Sequence, residues 1–120
     1  MNEVVKQWME VSKSDGVTII RFKITSLIDL PMVQAIGDEW YWLAAQPGAR
    51  LLVSFGPVQQ ISSTVIAKLI ELQRRLSAKD GKLAICCEHQ EVRDSFRITH
   101  TDRIVEVHSD EESALNRLKT

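Results

Sequence analysis

Two short apolar runs, Arg50-Leu51-Leu52-Val53-Ser54-Phe55 and Lys82-Leu83-Ala84-Ile85-Cys86-Cys87, constrain this chain most, because each precedes a segment of helical period. A strand buried on both faces reads as an unbroken apolar run, the pattern of a parallel sheet covered by helices. After the first run, an uncharged loop from Gly56 to Ile61 leads into Ser62-Ser63-Thr64. Val65, Ile66, Leu69, Leu72 and Leu76 then follow at helical spacing. Lys79-Asp80-Gly81 closes that helix with a cation in its last turn and a glycine beyond. After the second run, Glu91 to Ile98 reads as a short helix and Arg103 to Val107 as a strand. Ser109-Asp110-Glu111-Glu112 reads as a capping box opening a last helix through Leu118.

Upstream, Asp15-Gly16 supplies positive-φ turn residues between two extended segments, and Val17 to Ile24 alternates enough to be a strand with a buried face. Asp29 is an N-cap with Pro31 in the first turn of a helix whose inward stripe is Val33, Ile36, Trp40 and Leu43. That helix ends by Pro47-Gly48. The order is strand, strand, helix, then strand-helix three times. It predicts an α/β fold: a mostly parallel sheet of about five strands with an antiparallel edge strand, covered by about four helices. No linker or internal repeat interrupts it, so residues 1–120 are expected to form a single domain.

The 120 residues carry 15 Lys+Arg against 16 Asp+Glu, a net charge of -1, which gives no electrostatic case for nucleic acid. The longest uncharged stretch, Leu51 to Ala67, contains Gly56-Pro57 and several polar residues, so no membrane insertion is expected. Met1 to Glu10 holds Glu3 and Lys6 and lacks a signal-peptide core, which makes the cytoplasm the expected compartment. Cys86 and Cys87 are adjacent, unlike a disulfide framework. They are expected to end a strand with one thiol inward, one outward, and to serve packing.

Enzyme signatures are missing. No phosphate-cradling glycine loop follows a strand, and the spacing of His89, His100 and His108 is unlike a helical metal pair. No catalytic residues, metal site or cofactor are expected. Arg74, Arg75, Lys79 and Lys82 fit a solvated helix C-terminus, with a patch for an acidic partner as the alternative. At 100° per residue, Trp40 and Trp42 lie on nearly opposite helix faces, so a buried Trp40 leaves Trp42 near the surface. The hydroxyls of Ser62, Ser63 and Thr64 have an ordinary structural use in capping the free N–H groups of the helix they open. A phosphate on one of them would place about two negative charges at the helix's positive end.

Val53-Ser54-Phe55-Gly56-Pro57-Val58-Gln59-Gln60-Ile61-Ser62-Ser63-Thr64-Val65-Ile66-Ala67-Lys68-Leu69-Ile70 resembles the centre of the STAS domain, found in anti-sigma factor antagonists and sulfate transporters. The similarity extends from about Val17 to Leu118. In antagonists of this family the unphosphorylated protein binds an anti-sigma factor that is also a serine kinase. The kinase then phosphorylates a serine at the start of the second helix. The resemblance implies Ser63 as phosphoacceptor. It implies a partner surface of Gly56, Pro57, Gln59, Gln60, Ser62, Thr64, Val65 and Lys68, and an anti-sigma factor serine kinase or related signalling protein as partner. Ser54 stands where the family often has Asp, Ser62 where it has Asp, Val65 where it has Gly, and His100 where a Gly is usual. A bulkier Val65 is expected to hold a partner away from that turn. The alternative reading is a scaffolding or interaction module without phosphorylation, anchored by Tyr41 and Trp42, for which a second copy of the chain is a further candidate partner.

Overall fold

The computed structural model describes residues 3–119. A short 3₁₀ turn, Val5–Gln7, precedes the hairpin strands β1 (Met9–Ser14) and β2 (Val17–Phe22). There follow β3 (Ser26–Leu27), α1 (Leu30–Leu43), β4 (Arg50–Ser54), β5 (Gln60–Ile61), α2 (Ser63–Ser77) and β6 (Lys82–Cys86). The chain continues with α3 (Gln90–Ile98), a 3₁₀ turn at Thr101–Arg103, β7 (Glu106–His108) and α4 (Glu111–Lys119). The main sheet has the order β1-β2-β4-β6-β7; β1 is antiparallel to β2 and the other neighbours are parallel. The expected architecture is therefore the observed one. The sequence pattern did not foretell the second, two-stranded sheet of β3 and β5.

Helices α1, α2 and α3 cover one face of the sheet, where Val33, Ile36, Trp40, Leu69, Leu72, Leu76, Val92 and Phe96 meet Ile20, Leu51, Val53 and Ile85. Helix α4 covers the other face with Ala114 and Leu118 on Val17, Ile19, Leu52, Ala84 and Cys86. Leu51, Leu52 and Val53 are all buried although they alternate sides, which explains the unbroken apolar run. The same cover corrects one expectation. Cys86 and Cys87 point to opposite faces, yet both are buried because α4 roofs the second face. Burial pushes their thiols up to about 11 and about 12, far from reactive thiolates.

Turn chemistry explains the connections. Asp15 and Gly16 take φ 50° and 81°, the pair of left-handed residues a two-residue hairpin requires. Asp29 caps α1 by accepting from the Met32 amide at 3.0 Å. Past α2 it is Asp80, at φ 59°, that adopts the left-handed conformation. Gly81 instead permits a close approach, since a Cβ there would lie 2.6 Å from the Ala49 carbonyl oxygen. The strand expected from Arg103 is shorter, since Ile104 and Val105 donate to the Thr101 carbonyl and keep that segment turned until Glu106. The cap of α4 is Asp110, which accepts from the Ser113 amide at 2.7 Å, rather than a Ser109 capping box.

Candidate functional site

The loop from β4 to α2 is built by backbone hydrogen bonds. Phe55 donates to the Cys86 carbonyl at 2.9 Å and continues the line of β4. Gly56 then takes φ 46°, and Val58 donates back to Phe55 at 2.8 Å, closing a tight turn. Val58 is buried, so the turn is pinned while Pro57 stays exposed. Gln59 and Gln60 both donate to the Thr25 carbonyl, and Ser62 donates to Leu27 at 3.0 Å, where β5 runs parallel to β3. The glutamine side chains are left at the surface. Helix α2 starts immediately after this anchor.

The capping expected of the serine hydroxyls is not what the chain does. Ser62 has the extended backbone of an N-cap, φ -89° and ψ 164°, but its side chain caps nothing. Its Oγ lies buried without a hydrogen-bond partner, while its carbonyl receives the Val65 amide at 3.1 Å. Ser63 is the first residue of the helix and is exposed, and Thr64 is half-buried. Neither hydroxyl makes a hydrogen bond among the described residues. The first turn holds no acidic residue, so its positive end is uncompensated by any side chain of the helix.

Of the expected surface residues, Pro57, Gln59 and Gln60 are exposed, and Gly56, Ser62, Thr64 and Lys68 are half-buried. Val65 does not belong with them. It is 2% exposed and sits in the main core, on the same stripe as Leu69, Leu72 and Leu76. It therefore cannot contact a partner or hold one away from the turn. Lys68 lies in the seam between α1 and α2, where a Cβ on Gly37 would meet its Cδ at 2.5 Å. Tyr41 lines the same seam, under the Arg75 guanidinium at 3.9 Å. Trp42, at 66% exposure, is open to solvent, as the helical geometry predicts from a buried Trp40.

Two features had escaped the sequence pattern. Ile28, 52% exposed, borders the Ser63 rim, because Leu27 pairs with Ile61 and so brings Ile28 alongside Ser62, and Leu30, 51% exposed, opens α1 two residues further on. The signal was present as apolar residues at the mouth of α1 that fall outside its inward stripe. The second feature is Ser54. It is buried and its hydroxyl donates to Glu111 at 3.0 Å. Arg21 grips the same carboxylate through Nε and Nη2 at 2.9 to 3.1 Å and also donates to the Ser12 hydroxyl. The Arg21 hydrogen bonds hold the Glu111 carboxyl below its usual range. An aspartate at position 54 would aim a second carboxylate at Glu111. Serine is thus the residue this network accepts.

His100 occupies the left-handed conformation at φ 59° after α3, which accounts for a glycine being usual there. His108 shares a hydrogen bond of 2.7 Å with Ser113, and its far nitrogen lies 3.7 Å from Glu106. That separation is too long to orient the ring, and Glu106 is engaged by Arg117 at 3.0 Å, so the pairs His108–Ser113 and Glu106–Arg117 tie β7 to α4 at the surface. Among the described residues there is no cluster of three metal-ligating side chains, and no helix is long and apolar enough to cross a membrane.

The sequence model of the STAS domain matches residues 9–114. No curated protein matches this chain. Among solved structures, an anti-sigma-factor antagonist (STAS) domain protein from Planctomyces limnophilus has 19% identity and a TM-score of 0.81, over 93% of this chain and 98% of its own. An anti-sigma factor antagonist from Mycobacterium paratuberculosis has 17% identity and a TM-score of 0.80, over 93% of each chain. The Bacillus cell fate determinant SpoIIAA in its phosphorylated form has 17% identity and a TM-score of 0.68, over 91% of this chain and 97% of its own. It has also been solved unphosphorylated, as an anti-sigma factor antagonist. At these identities the likeness is one of fold.

Proposed function

Because this chain belongs to the STAS domain family, we propose that it is a regulatory binding module of the anti-sigma factor antagonist kind, switched by phosphorylation of Ser63. In this reading it acts in the cytoplasm and its partner is an anti-sigma factor with serine kinase activity. The observation that carries the proposal is the state of the Ser63 hydroxyl: exposed, without a hydrogen-bond partner, at the first position of a helix with no acid in its first turn. A kinase can reach such an oxygen, and the helix end tolerates the dianion that results.

The surroundings supply the other half of a switch. Ile28 offers exposed apolar area beside the rim, and the backbone bonds of Gln59, Gln60 and Ser62 hold the loop in a fixed shape. A partner packed over that area would have to desolvate a phosphate at its centre, a strongly unfavourable event without a matching cation. SpoIIAA, of the same fold, exists in phosphorylated and unphosphorylated forms, which supports the reading by analogy. Incubation with ATP and candidate anti-sigma serine kinases, followed by intact-mass and fragment mass spectrometry, tests it. One phosphoryl group on Ser63, absent from Ser63→Ala, is the expected result. Phosphate on another residue, or none with a kinase that binds the protein, rejects it.

A further inference from the structure

At the other end of the sheet, the C-terminal end of α1 and the β1-β2 hairpin enclose a cavity of about 550 Å³. Its lining includes Lys13 of β1, Thr18 of β2, Trp42 and Leu43 of α1, Gln46, and Arg50 at the start of β4. β4 begins here and ends at the loop leading to α2, so the length of the strand separates the cavity from Ser63.

The chemistry of the lining is one-sided. It contains two cationic side chains and no carboxylate. Neither Lys13 nor Arg50 has an ion pair or side-chain hydrogen bond among the described residues, although Arg50 is half-buried. By contrast, Arg21, Arg74, Arg75, Arg97 and Arg117 each bond a carboxylate. The hairpin's own acid, Asp15, is taken by Lys119 at 2.8 Å. Over the same cavity stands the indole of Trp42, 66% exposed, next to Leu43. A guanidinium without a carboxylate and an uncovered aromatic face are complementary to one kind of ligand.

We propose that this cavity binds a small planar aromatic anion, with its ring against Trp42 and Leu43 and its carboxylate or phosphate on Arg50 and Lys13. Thr18 and Gln46 are the neutral hydrogen-bonding groups beside the anion. The volume suits such a molecule, since small-molecule sites occupy about 300 to 1,000 Å³. The site requires neither Ser63 nor its phosphorylation.

The test is a titration followed through the Trp42 indole N–H resonance, using 1-naphthyl phosphate and 1-naphthoate as probes. Inorganic phosphate and 1-naphthol serve as the charge-only and ring-only controls. A saturable shift of Trp42 with either charged naphthalene, at least about tenfold weaker for both controls, is the expected result. Which of the two binds tighter assigns phosphate or carboxylate. Arg50→Gln should weaken binding about tenfold with an unchanged melting temperature, and added salt should weaken it in the wild-type protein. Three results would overturn the proposal: no saturable shift, equal response to 1-naphthol, or binding indifferent to both salt and Arg50→Gln. Loss of self-association in Trp42→Ala without any ligand response would likewise overturn it, by making Trp42 a protein anchor.

Discussion

Ser54 and Ser63 stand at the two ends of one loop and are treated in opposite ways. Ser54 is buried, and its hydroxyl completes a closed set with Glu111, Arg21 and Ser12 that joins α4 to three strands. Ser63 is exposed and its hydroxyl is bonded to nothing in the described chain. Between them, Ser62 keeps a buried oxygen without a partner. A buried polar group with every partner present is a structural joint, and altering it costs stability. A free hydroxyl at a helix start costs the fold little when it gains charge, so it is available for signalling. The two serines share a side chain and differ only in what surrounds them.

Placing the family's usual residue at Val65, Ser54 and Ser62 puts this contrast to the test. Val65→Gly should have the largest effect, about 3 kcal/mol of lost stability in urea unfolding, because it removes a buried side chain and adds the helix penalty of glycine. A loss under about 1 kcal/mol would show that Val65 is not part of the core. Ser54→Asp should cost about 2 kcal/mol, since a second carboxylate would face Glu111 with Arg21 as their shared cation. Pairing it with Glu111→Gln should recover part of that loss in a double-mutant cycle, whereas strict additivity would deny the contact. Ser62→Asp should act the other way and stabilise by about 1 kcal/mol, because the helix lacks a side-chain cap and aspartate supplies one. An unchanged or lower unfolding midpoint would mean that the buried oxygen is needed where it is.

The elements that local rules govern were legible in the sequence. Asp15-Gly16 gave the hairpin, Asp29 the start of α1, and Leu69, Leu72 and Leu76 the inner face of α2. Val65 is instructive because its helical spacing already placed it on that inner face; only the resemblance drew it to the surface. Contacts between distant segments were not legible. Arg21 and Glu111 are 90 residues apart, and no periodicity connects them. β3 and β5 are two residues each, too short for an alternation to show, yet their pairing is what sets Ile28 beside Ser62. The second buried thiol depended in the same way on α4 folding back over the sheet. For the site itself, the exposed Ser63 hydroxyl follows from its place at the helix start, while the absence of a cap from Ser62 depends on a rotamer that sequence does not encode locally.

The smallest predicted change in stability is also the most informative. Ser63→Asp places a charge at the positive end of α2 and should leave the unfolding free energy within about 0.5 kcal/mol of wild type. Calorimetric titration of this variant against an anti-sigma serine kinase that binds the wild-type protein, with melting curves on the same samples, is the decisive measurement. Lost binding at an unchanged melting temperature is the expected result. Wild-type affinity in Ser63→Asp would contradict a phosphorylation switch at Ser63.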